Sequence, residues 1–406
     1  MTTEIDSLER LKLVQIGDMV YDVVAEKKGS KYSSFKLESY KCTEESAALE
    51  VHSLLASSEL VVIDSICSGV GRTGQNDFYN NVMKPVFKEA NFKHKYIRTE
   101  GEDSIKDLAT KFEASKDYTI IFLSGDTSVS EFINNLTKVQ KENFISCSEN
   151  KRQMNIFTIP LGTGNALASS IHLSSPHQVF QKFLNNELII KDFPLYTVTL
   201  PNKKTIIFFI IFSMGFHANL LHACDSDEYQ KMGTERFAKA SENIFKNYDL
   251  NIGLTTKNGS ESISRNYAYF AIINTPNLEL NYMPSPDSDV FKNELHLLGY
   301  DASLSTEKLV NKIMAGYSYK EREKINNKDN LTYYYPVNLS GTGLQIILET
   351  DSDKKLEKYK YDICCDGLLL NLDDINNQHG VAESNKNKIT ISKFPNDLNF
   401  QLNLFA

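Results

Sequence analysis

The chain carries an aspartate directly after a Ser-Gly pair, in Ser124-Gly125-Asp126-Thr127-Ser128, where the apolar run Tyr118–Leu123 gives way to a helical pattern. A carboxylate at the mouth of a strand can accept a proton from an attacking hydroxyl, or hold Mg2+. It can equally be an N-cap that does no chemistry. A second polar turn lies about 35 residues on, where Ile156–Ile159 opens onto Pro160-Leu161-Gly162-Thr163-Gly164-Asn165. A Gly-Thr-Gly-Asn turn supplies free amides to an anion. A third follows Leu60–Ile63, in Cys67-Ser68-Gly69-Val70-Gly71-Arg72-Thr73-Gly74. A strand, a tight polar turn and a helix start together aim N–H groups and a positive dipole end at one spot, which is how proteins hold phosphate. The repeated arrangement predicts one nucleotide site built from several turns.

The elements that must position these turns follow from the pattern around them. Phe78–Ala90 reads as a helix, with Phe78, Val82, Val86 and Phe87 on one face, and 103–116 reads as another. From 60 to about 185 the order is strand, helix, strand, helix, strand, helix. That order predicts a parallel α/β sheet with its ligand site beyond the strand C-termini. From about 194 strand-like runs dominate, at 195–200, 205–213, 267–274, 294–299, 333–338, 344–349, 360–364, 367–372 and 388–392, with polar linkers such as Thr255–Ser262 and Lys324–Asn330. Many strands and few helices predict an antiparallel β-sandwich. The clearest helix there is Glu307–Ala315. The expected organisation is an extension at 1–57 with a hairpin (Val20–Val24, Phe35–Leu37), an α/β nucleotide-binding domain at 58–193 and a β-sandwich at 194–406. Its last segment, 388–406, packs back on the first domain.

Composition narrows the class. The 406 residues hold 41% hydrophobic and 24% charged residues, an ordinary globular balance. The net charge of −8, without a basic block, argues against nucleic acid as a partner. Met1–Leu11 lacks the apolar core of a signal peptide. The longest apolar run, Ile206–Phe212, is far below the roughly 20 residues that span a bilayer and reads as a buried strand. The six cysteines show no metal or redox spacing and read as reduced cytoplasmic thiols. Cys364-Cys365, on a strand, should point to opposite faces as buried thiols. His217 and His222, like His172 and His177, are five apart, a poor spacing for a shared metal on a helix.

The ordered set of motifs resembles the diacylglycerol kinase catalytic-domain family, which includes sphingosine and ceramide kinases. Ser124–Glu131 with Asn134-Asn135-Leu136 is similar to the family's G-G-D-G-T-x-x-E-x-x-N-G-L segment. Pro160–Ala168 resembles its P-x-G-T-G-N-x-x-A segment. Ser213–Asn219 resembles its G-F-x-A-[DE] strand end, Lys231–Phe237 its R-x-G-x-x-R-[FY] element, and Asp366-Gly367-Leu368 its late D-G-E. Ile389–Leu402 resembles the segment that closes its fold. The resemblance implies transfer of the γ-phosphate of ATP, with Mg2+, to a lipid hydroxyl. Asp126 would be the general base. Ser68, Gly69, Ser124, Gly125, Thr127, Gly162, Thr163, Gly164 and Asn165 would surround the nucleotide, with Thr99 beside it. Lys231 and Arg236 would reach from the second domain to the β- and γ-phosphates, and Asp366 would sit near metal and nucleotide. Asn219 would face the lipid headgroup; as an amide rather than a carboxylate it suits a neutral headgroup.

This chain departs from the pattern at Thr127, where the family has glycine, and at Leu368, where it has glutamate. A β-branched residue costs roughly 1–3 kcal/mol if that backbone must adopt positive φ. The leading expectation is a cytoplasmic lipid kinase with transient, peripheral membrane contact and a homodimeric state, its lipid in an apolar pocket of the sandwich opening on the interdomain cleft. The alternative is a catalytically weakened relative that binds lipid or regulates a partner.

Overall fold

The computed structural model describes residues 7–406 apart from 30, 44–56, 102–103, 114, 143–150, 233–234, 321–324, 326–328, 340, 351–355 and 396–397. The chain divides into two compact units, Met1–Phe193 with Asn396–Ala406, and Pro194–Pro395.

The first unit opens on an antiparallel meander of β1 (Ser7–Ile16), β2 (Met19–Lys28) and β3 (Lys31–Lys41). The sequence pattern shows only the β2–β3 hairpin, because β1 alternates charged and apolar residues weakly. A second sheet holds β4 (Glu59–Asp64), β5 (Lys95–Arg98), β6 (Tyr118–Ser124), β7 (Arg152–Pro160), β8 (Ile190–Asp192) and β20 (Phe400–Phe405), in the order β5-β4-β6-β7-β20-β8. All pairings are parallel except β20 with β8. The strand C-termini of β4, β6 and β7 therefore end side by side. Every residue of β6 is buried, as a central parallel strand covered on both faces requires.

The two faces are covered by different elements. Leu60, Val62, Ile121, Leu123, Phe157 and Ile159 share a core with helices α1 (Lys84–Glu89) and α5 (Pro176–Leu184) and with Val23, Ala25 and Phe35 of the meander. On the other face Phe122 meets Phe132, edge to face at 5.4 Å. Phe132 belongs to α3 (Asp126–Glu142), which follows the short α2 (Ser104–Ala109). Helix α2 ends well before the expected 116. A single-turn π segment, Tyr79–Met83, leads into α1. A short helix, α4 (Ala166–Ser170), follows the β7 turn.

The second unit is one continuous antiparallel sheet of eleven strands among the described residues. Residues from β9 (Tyr196–Thr199) through β19 (Lys388–Lys393) enter a common core, among them Phe208, Phe212, Phe270, Leu297, Ile346, Ile363 and Ile391. Two expectations fail here. The run 205–213 is not one strand but two, β10 (Thr205–Phe208) and β11 (Ile211–Gly215). The carboxylate of Asp366 accepts the amides of Phe209, Ile210 and Ile211 at 2.7, 3.0 and 2.8 Å and so replaces the ladder bonds at the bend. The stretch Thr255–Ser262 is no linker. It is the tip of a hairpin of β12 (Ile252–Asn258) and β13 (Glu261–Ile273), which turns at Gly259 with φ +60°. Its outward positions include Thr255 and Lys257 and the buried position between them is Thr256, so polar residues on both faces hide the alternation. Helices α6 (Phe216–Cys224), α7 (Asp227–Gln230) and α8 (Glu235–Asn247) add to the expected α9 (Thr306–Ala315).

Candidate active site

The turns after β4, β6 and β7 close on one another through glycine. Gly162 packs so tightly on Gly125 that a Cβ at 162 would lie 2.3 Å from the Gly125 Cα. Gly69, at φ +65°, would place a Cβ 2.4 Å from the Leu161 carbonyl oxygen. Only a residue without a side chain allows either approach. Backbone bonds stitch the turns further. Leu161 N–H donates to Ser124 O at 3.1 Å, and Ser65 N–H donates to Leu123 O at 3.2 Å. Ser128 Oγ reaches Ser65 Oγ at 3.1 Å.

Within the β7 turn Asn165 holds the loop open. It adopts φ 54°, and its Oδ1 accepts Gly162 N–H at 2.9 Å while its Nδ2 donates to Gly162 O at 3.0 Å. Asparagine tolerates this left-handed backbone better than most residues. The amides of Thr163 and Gly164 donate to no partner among the described residues. Thr163 is exposed. This is a cradle that fits an anion such as phosphate.

Asp126 stands at the start of α3 and faces the same turn. Its Oδ2 accepts Ala166 N–H at 2.5 Å and its Oδ1 accepts Leu167 N–H at 3.2 Å, so it caps α4 rather than its own helix. Loss of solvation pushes its pKa up to about 6, and the bonded amides hold the rise back. A half-buried carboxylate with that pKa is mostly ionised at neutral pH yet basic enough to take a proton. Thr127 is exposed in the first turn of α3 and has no positive φ, so the expected backbone strain is absent. Ser124 is buried and turns its hydroxyl to Gly125 O at 3.0 Å.

Two residues that sequence reasoning passed over frame the first loop. Arg72 donates through Nε to Asp64 Oδ1 at 3.1 Å and through its terminal nitrogens to Leu123 O at 2.8 Å and Ser68 O at 3.3 Å. Both side chains are buried, 6% and 1% exposed, so this is a desolvated pair. Tyr96 donates to the other Asp64 oxygen at 3.0 Å. Burial raises the pKa of Asp64, and Arg72 and Tyr96 oppose the rise. A charged residue ending an apolar strand was the available signal; its partner could not be read. Thr99 is buried and its amide and hydroxyl both bond Asp64 O, at 3.0 and 3.3 Å, which fixes the end of β5.

The second unit holds the other expected residues, and two of them are structural. Asp366 is 4% exposed, with φ 48° and both oxygens bonded to the three amides of the β10–β11 bend. Those bonds account for its carboxylate without a metal or nucleotide. Asn219 is 2% exposed and donates to Tyr359 O at 2.6 Å and Asp362 Oδ2 at 3.1 Å, so it presents no amide to a headgroup. Lys231 is exposed at the end of α7. Arg236 lies over the Phe237 ring at 5.0 Å and keeps a buried Nε with no partner among the described residues. Leu368 is 43% exposed. Among the described residues no three His, Cys, Asp or Glu side chains converge to hold a metal ion. His217 bonds Ser213 Oγ at 2.7 Å, and burial lowers its pKa to about 4. Cys364 and Cys365 are both buried, and only Cys365 enters the core cluster. No described helix is long and apolar enough to cross a membrane.

Residues 60–191 match the family model of the diacylglycerol kinase catalytic domain. Over 107 residues the chain is 32% identical to sphingosine kinase B of Dictyostelium discoideum; the match covers 26% of this chain and 13% of that protein. A solved diacylglycerol kinase from Bacillus anthracis str. Sterne shares the fold with a TM-score of 0.53 at 15% identity, over 86% of this chain and 96% of its own.

Proposed function

We propose that this chain, which belongs to the diacylglycerol kinase catalytic-domain family through residues 60–191, transfers the γ-phosphate of ATP to the hydroxyl of a sphingoid, ceramide or diacylglycerol-type lipid. The observation that carries the reading is the juxtaposition of a carboxylate whose pKa is raised to about 6 with a glycine-built turn whose Thr163 and Gly164 amides have no partner among the described residues. Those amides would hold phosphate oxygens. Asp126 would accept the proton of the lipid hydroxyl, its orientation fixed by Ala166 and Leu167. Phosphoryl transfer asks mainly for positioning and charge neutralisation, and Mg2+ brought with ATP supplies part of the latter. In the second unit, Arg236 keeps a buried Nε with no partner among the described residues, a group that suits an anion. Contact with the membrane would be transient.

The test is labelling of a lipid panel, sphingosine, ceramide and diacylglycerol in mixed micelles, with γ-labelled Mg-ATP. The reading predicts one labelled class; a panel without label contradicts it. A second reading, a lipid-binding relative with weakened transfer, is favoured by Leu368, an exposed apolar side chain where the resemblance implies a carboxylate. Mg-ATP separates the two, because a ligand bound only by the native state raises Tm.

A further inference from the structure

A buried polar cluster that the phosphoryl-transfer reading does not use joins the β1–β3 meander to α5. His177, the second residue of α5, is 1% exposed. Its Nε2 lies 3.2 Å from Glu9 Oε2 of β1. Tyr32 of β3 donates its hydroxyl to the same oxygen at 3.3 Å and meets the imidazole edge to face at 5.6 Å. Lys27 of β2 reaches the other oxygen, Glu9 Oε1, at 2.9 Å and lies over the Tyr32 ring at 4.6 Å. Each strand of the meander thus sends one side chain to a single contact with the first turn of α5.

Charge decides the state in which this contact is made best. A carboxylate can only accept, so the imidazole nitrogen that faces Glu9 carries a proton. The other nitrogen, Nδ1, has Ser175 Oγ 3.3 Å away. Glu9 already balances Lys27, so with a neutral ring the cluster sums to zero. A protonated ring adds a positive charge without a counter-charge of its own, out of water and at the positive end of a helix. Burial pushes the His177 pKa down; Glu9 opposes the fall and Lys27 adds to it. Glu9, held below its ordinary pKa by Lys27 against the cost of burial, and Tyr32, raised by burial, keep their charge state where histidine titrates.

We propose that His177 is an acid-sensitive latch for the meander: the neutral ring holds β1–β3 against α5, and uptake of a second ring proton loosens them. A folded pKa below the ordinary 6.5 gives a contribution that is complete above about pH 6.5 and is lost as the pH falls from there through the folded value. The latch stands whether or not the chain transfers phosphate. Helix α5 connects it to the strand that ends in the glycine-built turn, because Phe183 stacks on Phe157 of β7 at 4.9 Å.

The experiment is hydrogen–deuterium exchange of the full chain at pH 7.5, 6.5 and 5.5, corrected for intrinsic exchange, on the parent and on His177→Gln, which keeps an N–H toward Glu9 and does not titrate. Peptides from β1–β3 report the latch, and peptides from β12–β13 are the control. A single proton bounds the effect, so protection of β1–β3 in the parent should fall by up to about tenfold between pH 6.5 and 5.5, with the control peptides and the variant unchanged. An NMR titration of the His177 ring in the parent, assigned through its contact with Tyr32, decides the matter even if the variant fails to fold. Its midpoint should lie below 6.5, and Lys27→Met should raise that midpoint by freeing Glu9 for the imidazolium. The proposal is overturned if the parent keeps its β1–β3 protection down to pH 5.5, if H177Q loses protection in parallel, or if the ring titrates at or above 6.5.

Discussion

At the scale of single residues, Asp126 carries the account. Its two amide bonds tie it to α4, while loss of solvation raises its pKa to about 6. Only the ionised form can take the hydroxyl proton. The kcat/KM profile for the lipid should therefore fall about tenfold per pH unit below 6, read by initial rates from pH 5 to 8. A flat profile over that range would remove Asp126 from proton transfer. The effect on stability has the opposite sign. A folded pKa above the unfolded value favours the protonated carboxyl, so this contribution is fullest below the unfolded value of 3.8 and is lost as pH rises through about 6. Asp126→Asn at pH 7.5 gives up one amide bond, worth about 1 kcal/mol, and removes a desolvated charge. Its Tm should stay within about 5 °C of the parent by calorimetry. The aspartate, the Gly-Thr-Gly-Asn turn and the loop after Ile63 could all be read in the sequence, because each is a local pattern with its own backbone demand. The roles of Asn219 and Asp366 could not, because what settles a buried carboxylate or amide is its partners. The partners of Asp366 lie 155 to 157 residues away.

At the scale of elements, the three turns form one object only because glycines let backbone touch backbone. Gly162→Ala must push a methyl group to 2.3 Å from the Gly125 Cα. The expected loss is about 1–3 kcal/mol in urea denaturation, together with lost Mg-ATP affinity, whereas alanine at Gly74, which has open space, should cost nothing comparable. Arg72 anchors the first loop from below. Arg72→Met leaves the buried Asp64 without its counter-charge, with Tyr96 as its remaining side-chain donor, and should cost about 3–5 kcal/mol, while the double change D64L/R72M should recover part of it. Equal losses in the single and double variants would show that the pair does not act as a unit. The β10–β11 bend shows why element boundaries escape a sequence reading. Ile206–Phe212 is uniformly apolar, and nothing within it marks the point where Asp366 takes over the amides.

At the scale of the whole molecule, the alternation of strands and helices over 60–185 was enough to predict a parallel sheet, and the later strand-rich stretch an antiparallel domain. The meander was less legible, because its burial depends on long-range packing. Tyr32 donates to Glu9 at 3.3 Å and its hydroxyl oxygen lies 3.2 Å from Ser175 Oγ, His177 sits 3.2 Å from Glu9, and Phe35 meets Phe78 edge to face at 4.9 Å. These contacts make β1–β3 part of the first unit's core. Phe35→Ala should cost about 3–5 kcal/mol in chemical denaturation. A cost under 1 kcal/mol would show that the meander is an appendage.

The measurement that bears most directly on the central claim is transfer of labelled γ-phosphate to a lipid hydroxyl by the parent and Asp126→Asn side by side at pH 7.5, with folding of both verified. The account predicts label on the lipid with the parent and a loss of at least about 100-fold with the variant. Equal labelling by the two proteins would contradict it.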